Sequence, residues 1–139
     1  MVLNKDTVIV INSGYYNPPH RGHLECLNLS KNLYKKTHLI LLLNNDQQAV
    51  LKKGYVFMPL DDRLELSKNL KAVDEVFVSI DEDSSVCRSL EAIALKYKGH
   101  KIVFAKGGDR NIGNIPENAL KATGVILQVT SFSSTLPLL

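Results

Sequence analysis

Five short apolar runs, at residues 7–12, 38–43, 76–80, 102–105 and 125–129, constrain this chain more than any other feature. They are rich in Val, Ile and Leu and alternate little, as expected of strands covered on both faces of a parallel sheet. Helical patterns fall between them. Leu24, Cys26, Leu27, Leu33 and Tyr34 form an apolar stripe that ends near the basic pair Lys35 and Lys36. Pro59 opens a second helix, with Asp61 and Asp62 in its first turn and Leu66, Leu70 and Val73 on its apolar face. Val86, Leu90, Ile93, Ala94 and Tyr97 recur at helical spacing before Gly99, and Pro116 and Gly124 bound a short last helix. Residues 47–58 show no clear periodicity and read as a long loop. The alternation predicts an α/β fold: a Rossmann-like, five-stranded parallel sheet with helices on both faces and right-handed crossovers. With 139 residues, a single domain spanning 1–139 is expected. Ligands of such sheets bind outside the carboxyl ends of the strands.

The first loop at that edge carries the chemistry. Residues 14–23 read G-Y-Y-N-P-P-H-R-G-H and join the first strand to the first helix. A helix N-terminus offers amide donors and partial positive charge to a phosphate. His20 and His23, three positions apart, lie on one side of its first turn, and Gly14 and Gly22 leave room for a triphosphate to approach the backbone. Neither histidine has a serine, cysteine or carboxylate partner nearby in sequence, which argues against an acyl-transfer triad. Nucleotidyl transfer to an acceptor phosphate that is already ionised needs no nucleophile on the protein. It needs alignment, and hydrogen-bond donors spread over the charge that builds at the α-phosphorus.

Charge and cysteine content narrow the partners. A formal charge of +3 with no lysine-rich face argues against nucleic acid and leaves small anions as the ligand class. The N-terminal apolar run is too short for a signal peptide or a membrane span, which predicts a cytoplasmic protein. Cys26 and Cys87 lack metal-ligand spacing and read as reduced, mostly buried thiols, although sequence alone leaves a disulfide open.

Gly14, Asn17, Pro18, His20, Gly22 and His23 match the H-x-G-H signature, and on these residues the chain resembles the cytidylyltransferase-like nucleotidylyltransferases. Class I aminoacyl-tRNA synthetases share the signature but are far longer. The resemblance implies transfer of NMP from ATP or CTP to a small phosphorylated acceptor, with pyrophosphate release, Mg²⁺ accompanying the nucleotide, and a homodimer. His20 and His23 would be catalytic. Gly14, Tyr15, Tyr16, Asn17 and Gly22 would bind nucleotide. The string Lys106, Gly107, Gly108, Asp109 is similar to the heptose-phosphate branch and implies a second nucleotide loop, followed by Arg110 on the acceptor. Asn45, Asp46, Val50, Lys53, Gly54, Pro59 and Arg63 resemble the sugar-phosphate and glycerol-phosphate members, which implies that Lys53 and Arg63 hold the acceptor's phosphate. A salt bridge from Arg63 to an aspartate explains that arginine equally well.

Two features depart from the family pattern. Asn17 stands where many cytidylyl members have Asp, and N-P-P-H is closer to nicotinate-mononucleotide adenylyltransferases. Ser133, Ser134 and Thr135 match the segment that contacts the β- and γ-phosphates, yet only Leu136, Pro137, Leu138 and Leu139 follow, without a basic residue. Truncation, a cation from elsewhere or from a second subunit, or a catalytically impaired nucleotide-binding module would each account for that end.

Overall fold

The computed structural model describes residues 3–106, 117 and 124–129. The elements in chain order are β1 (Val8–Gly14), α1 (Arg21–Lys31), β2 (Thr37–Leu43), α2 (Asp46–Lys53), α3 (Leu60–Lys68), β3 (Glu75–Val78), α4 (Cys87–Lys96), β4 (Ile102–Lys106) and β5 (Val125–Val129). The five strands form one sheet in the order β3-β2-β1-β4-β5, and every pairing is parallel. β1 therefore sits at the centre. The chain leaves it to one side for β2 and β3 and crosses to the other side for β4 and β5, so the crevice of this doubly wound sheet opens above the end of β1.

Period-two alternation divides the core between two faces. Ile9, Ile11, Ile40, Leu42, Ile102 and Phe104 pack with Leu90 and Ile93 of α4 on one side. Val10, Leu39, Leu41 and Leu43 pack with Leu27 of α1 and Leu64 of α3 on the other. Both faces of β1 and β2 are thus removed from water, which explains why their sequences show little polar alternation.

Several boundaries differ from the sequence expectation: β1 runs on to Gly14, and α3 ends at Lys68, so Leu70 and Val73 lie beyond it. α1 stops at Lys31, because Asn32 folds back on the last turn and its side-chain amide donates to the Asn28 carbonyl (2.8 Å). β3 begins and ends earlier than residues 76–80, spanning Glu75–Val78. The stretch 47–58 is not simply a loop: Asp46–Lys53 is a helix, opened by a reciprocal cap between Asn45 and Gln48 and closed by Gly54 at φ 81°. Its apolar residues Val50 and Leu51 are 48% and 60% exposed, so the pattern of a buried stripe is absent from its sequence.

α4 starts under a different device. Its N-cap, Val86, makes no side-chain cap. Instead the Asp81 carboxylate, 2% exposed, accepts from the amides of Arg88 (2.8 Å) and Ser89 (3.0 Å) and from the Ser89 hydroxyl (2.5 Å). Cys26 and Cys87 are both free thiols and half-buried. No helix among the described residues is long and apolar enough to cross a membrane.

Candidate active site

The loop after β1 is shaped by one turned-in ring. Tyr16 adopts φ 51°, which swings its side chain beneath the loop, where the hydroxyl donates to Asn12 Oδ1 (3.2 Å) and only 3% of the residue remains exposed. A Cβ on Gly14 would stand 2.8 Å from Tyr16 Cε2, so glycine there makes space for the protein's own ring. Tyr16, expected as a nucleotide contact, is the floor of the site. Its ring lies 4.5 Å from that of His23 and props it from below. The Asn17–Pro18 peptide is cis.

The two histidines build the start of α1. His20 is its N-cap, and His20 Nδ1 accepts from the Gly22 amide (3.1 Å). His23, at the third helical position, accepts through Nδ1 from the His20 amide (3.1 Å). The rings stack at 3.8 Å with 25° between their planes, and a Cβ on Gly22 would sit 3.0 Å from His20 Cε1. An Nδ1 that accepts a backbone N–H carries no proton, so each neutral ring has its proton on Nε2. The arrangement yields two N–H donors of fixed tautomer. Two amides at this end, those of His20 and Gly22, are committed to the imidazoles.

Burial, and then the neighbouring His20, push His23 down from 6.5 to about 4. Since the folded value lies below the unfolded one, the stability tied to His23 is complete above about pH 6.5 and is lost as pH falls toward 4. Protonation at Nδ1 would evict the His20 amide. In an NMR titration His23 should show a midpoint near 4, and a titration centred near 6.5 would contradict this arrangement.

The opposite wall is α2. Ala49, Lys52 and Lys53 share one helical face and, with Gly14, Tyr15, Asn17 and both histidines, line a cleft of about 430 Å³. Lys52 Nζ lies 4.7 Å over the Tyr15 ring. Lys53 was expected at the site, whereas Lys52 emerges only once residues 46–53 are known to be helical. Asn17 reaches the cleft wall while its Oδ1 accepts from the Met58 amide (2.7 Å).

Arg63 requires a correction. It was expected to hold acceptor phosphate, but its side chain is 0% exposed. Nε donates to the Met58 carbonyl (2.9 Å), Nη1 to the carbonyls of Tyr15 (2.9 Å) and Asn44 (2.6 Å), and Nη2 to Asp46 Oδ1 (2.7 Å). The aspartate reading of this residue is the one its contacts support, and four of its five N–H groups are used within the protein.

Lys106 ends β4 opposite Val129, so its backbone lies at the carboxyl edge of the sheet. Gly107, Gly108, Asp109, Arg110, Ser133, Ser134 and Thr135, together with the Lys106 side chain, lie outside the described residues. Among the described residues no group of three or more His, Cys, Asp or Glu is arranged to hold a metal ion.

A doubly wound parallel sheet with a histidine-capped helix at its crevice defines a Rossmann-like α/β domain of the nucleotide-binding class. Residues 11–129 match the cytidylyltransferase-like family, and the chain belongs to it. The fold is similar to that in the crystal structure of the lipopolysaccharide core biosynthesis protein from Thermoplasma volcanium GSS1. The two chains share 20% sequence identity and a TM-score of 0.66, over 88% of this chain and 93% of that one. Membership of the family supports nucleotidyltransferase activity in general terms.

Proposed function

We propose that this chain transfers the nucleoside monophosphate of ATP or CTP to a small phosphorylated acceptor, such as a sugar phosphate or glycerol phosphate. The observation that carries this reading is the stacked pair His20 and His23, whose Nδ1 atoms are both held by backbone amides. The rings therefore offer Nε2–H donors at the cleft without needing to be charged. In the reaction an acceptor phosphate oxygen attacks the α-phosphorus, the bond from that phosphorus to the bridging oxygen breaks, and pyrophosphate leaves. The Nε2–H groups stabilise the charge that grows on the α-phosphate oxygens, and being fixed beforehand they need no reorganisation. On the facing wall Lys52 attracts the nucleotide's phosphates and Lys53 the acceptor's.

Mg²⁺ would neutralise part of the triphosphate's charge. The donor set fits an ion held by the nucleotide's own oxygens and by water, because both Nε2 atoms carry protons and Asp46 is bound by Arg63. A homodimer and a cytoplasmic setting belong to the same proposal. Its test is calorimetric binding of ATP and CTP, with and without Mg²⁺, to the wild-type chain and to His20→Ala, followed by pyrophosphate release with a panel of phosphate monoesters. Selective binding that His20→Ala weakens, followed by release, is the expected result. Binding without release would leave a nucleotide-binding module, and no binding at millimolar nucleotide would overturn the reading.

A further inference from the structure

Arg63 joins three segments of the chain, at Tyr15, at Asn44 and Asp46, and at Met58. Its Nη1 group holds the carbonyl of Tyr15, which opens the loop leading to His20, and that of Asn44, just beyond β2. Its Nη2 holds Asp46, the first residue of α2, and Nε holds the Met58 carbonyl in the link from α2 to α3. Two further bonds lock the same junction: Asp46 Oδ2 accepts from the Leu60 amide (3.2 Å) and Asn17 Oδ1 from the Met58 amide. Tyr15 and Lys52, which meet at 4.7 Å, therefore both hang from one guanidinium, Tyr15 by its own carbonyl and Lys52 through the start of its helix.

We propose that Arg63 is a positioning residue that sets the distance between the histidine wall and the lysine wall of the cleft. The proposal rests on the nucleotidyltransferase reading above. It follows from what only this side chain can do. A planar fork with donors on three nitrogens bridges carbonyls and a carboxylate that point from different directions, whereas lysine brings its donors from a single atom and cannot span them. A buried cation is a poor way to gain stability, because its desolvation offsets much of the attraction. It is an effective way to hold loops at fixed separation, since every bond is charge-assisted and directional. Arg63 touches no ligand in this scheme; it acts through Tyr15 and through the face of α2 that carries Lys52 and Lys53.

The test measures affinity for whichever of ATP and CTP the wild-type chain binds more tightly, with Mg²⁺, by calorimetry. The chains compared are wild type, Arg63→Lys, Asp46→Asn, Lys52→Ala and the double variant Arg63→Lys with Lys52→Ala, each checked for folding by circular dichroism and thermal melting. Folded Arg63→Lys should bind about tenfold more weakly or worse, and Lys52→Ala should weaken the wild type yet add little in the Arg63→Lys background. A purely structural arginine would not move that coupling. Unchanged affinity in folded Arg63→Lys, a Lys52→Ala effect of equal size in both backgrounds, or no Lys52→Ala effect at all would overturn the proposal. If Arg63→Lys fails to fold, Asp46→Asn decides: weakened binding supports positioning, and wild-type affinity overturns it. A wild-type chain that binds neither nucleotide removes the transfer reading and this proposal together, whereas each of the other failures removes this proposal alone.

Discussion

Replacing His23 with alanine should lower the rate of nucleotidyl transfer roughly a hundred- to a thousandfold, which corresponds to about 2.7–4 kcal/mol of barrier for one lost donor to developing charge. The same change also removes the acceptor for the His20 amide, so the start of α1 should loosen by about 0.5–2 kcal/mol, the range for a lost cap. His23→Gln separates the two effects. Glutamine at the third helical position is the usual reciprocal partner of an N-cap residue, so its side-chain oxygen can take over the His20 amide. It cannot also place a donor where Nε2–H stands. Stability should therefore return in His23→Gln while turnover stays low. A glutamine variant with near-wild-type kcat would show that the ring only shapes the helix.

Asp81→Ala should be the most damaging single change away from the cleft. The carboxylate is almost wholly buried and serves the amides of Arg88 and Ser89 and the hydroxyl of Ser89. Alanine removes the anion at the N-terminus of α4 and orphans several donors that water cannot easily reach. Loss of a cap together with buried unsatisfied donors should cost on the order of 3 kcal/mol. For a chain of this size that is roughly a 10 °C fall in Tm. Denaturant unfolding should show the midpoint falling at an unchanged m-value; a shift worth less than about 1 kcal/mol would mean that the Asp81 bonds contribute little.

What sequence reasoning reached and what it missed follow from the range of the interactions involved. The strands were legible because burial on both faces leaves near-continuous apolar runs, and Leu39, Ile40, Leu41, Leu42 and Leu43 are all fully buried. His20 and His23 were legible because their spacing and the flanking glycines act within a single helical turn. α2 was not, since a short helix whose Val50 and Leu51 face solvent imitates a polar loop. Arg63 read as a ligand for phosphate on the family resemblance alone, with a salt bridge to an aspartate as the equal alternative. Its true partners lie 48 and 19 residues away at Tyr15 and Asn44, beyond any local pattern. The burial of Tyr16 was not legible because it depends on one positive backbone angle, and nothing in the string G-Y-Y-N announces which of the two tyrosines adopts it. Asp81 was seen as part of a polar turn and cap, but its reach of seven and eight residues to Arg88 and Ser89 exceeds the usual capping distance.

The amides of His20 and Gly22 end on imidazole nitrogens rather than on backbone carbonyls. Their protons are thus gauges of whether each ring is seated. Whenever a ring swings away, its amide is released to solvent and exchanges with deuterium; a nucleotide that pins the rings should slow that exchange. Occupancy of the cleft can then be followed from two backbone resonances, before any acceptor is known and without a turnover assay.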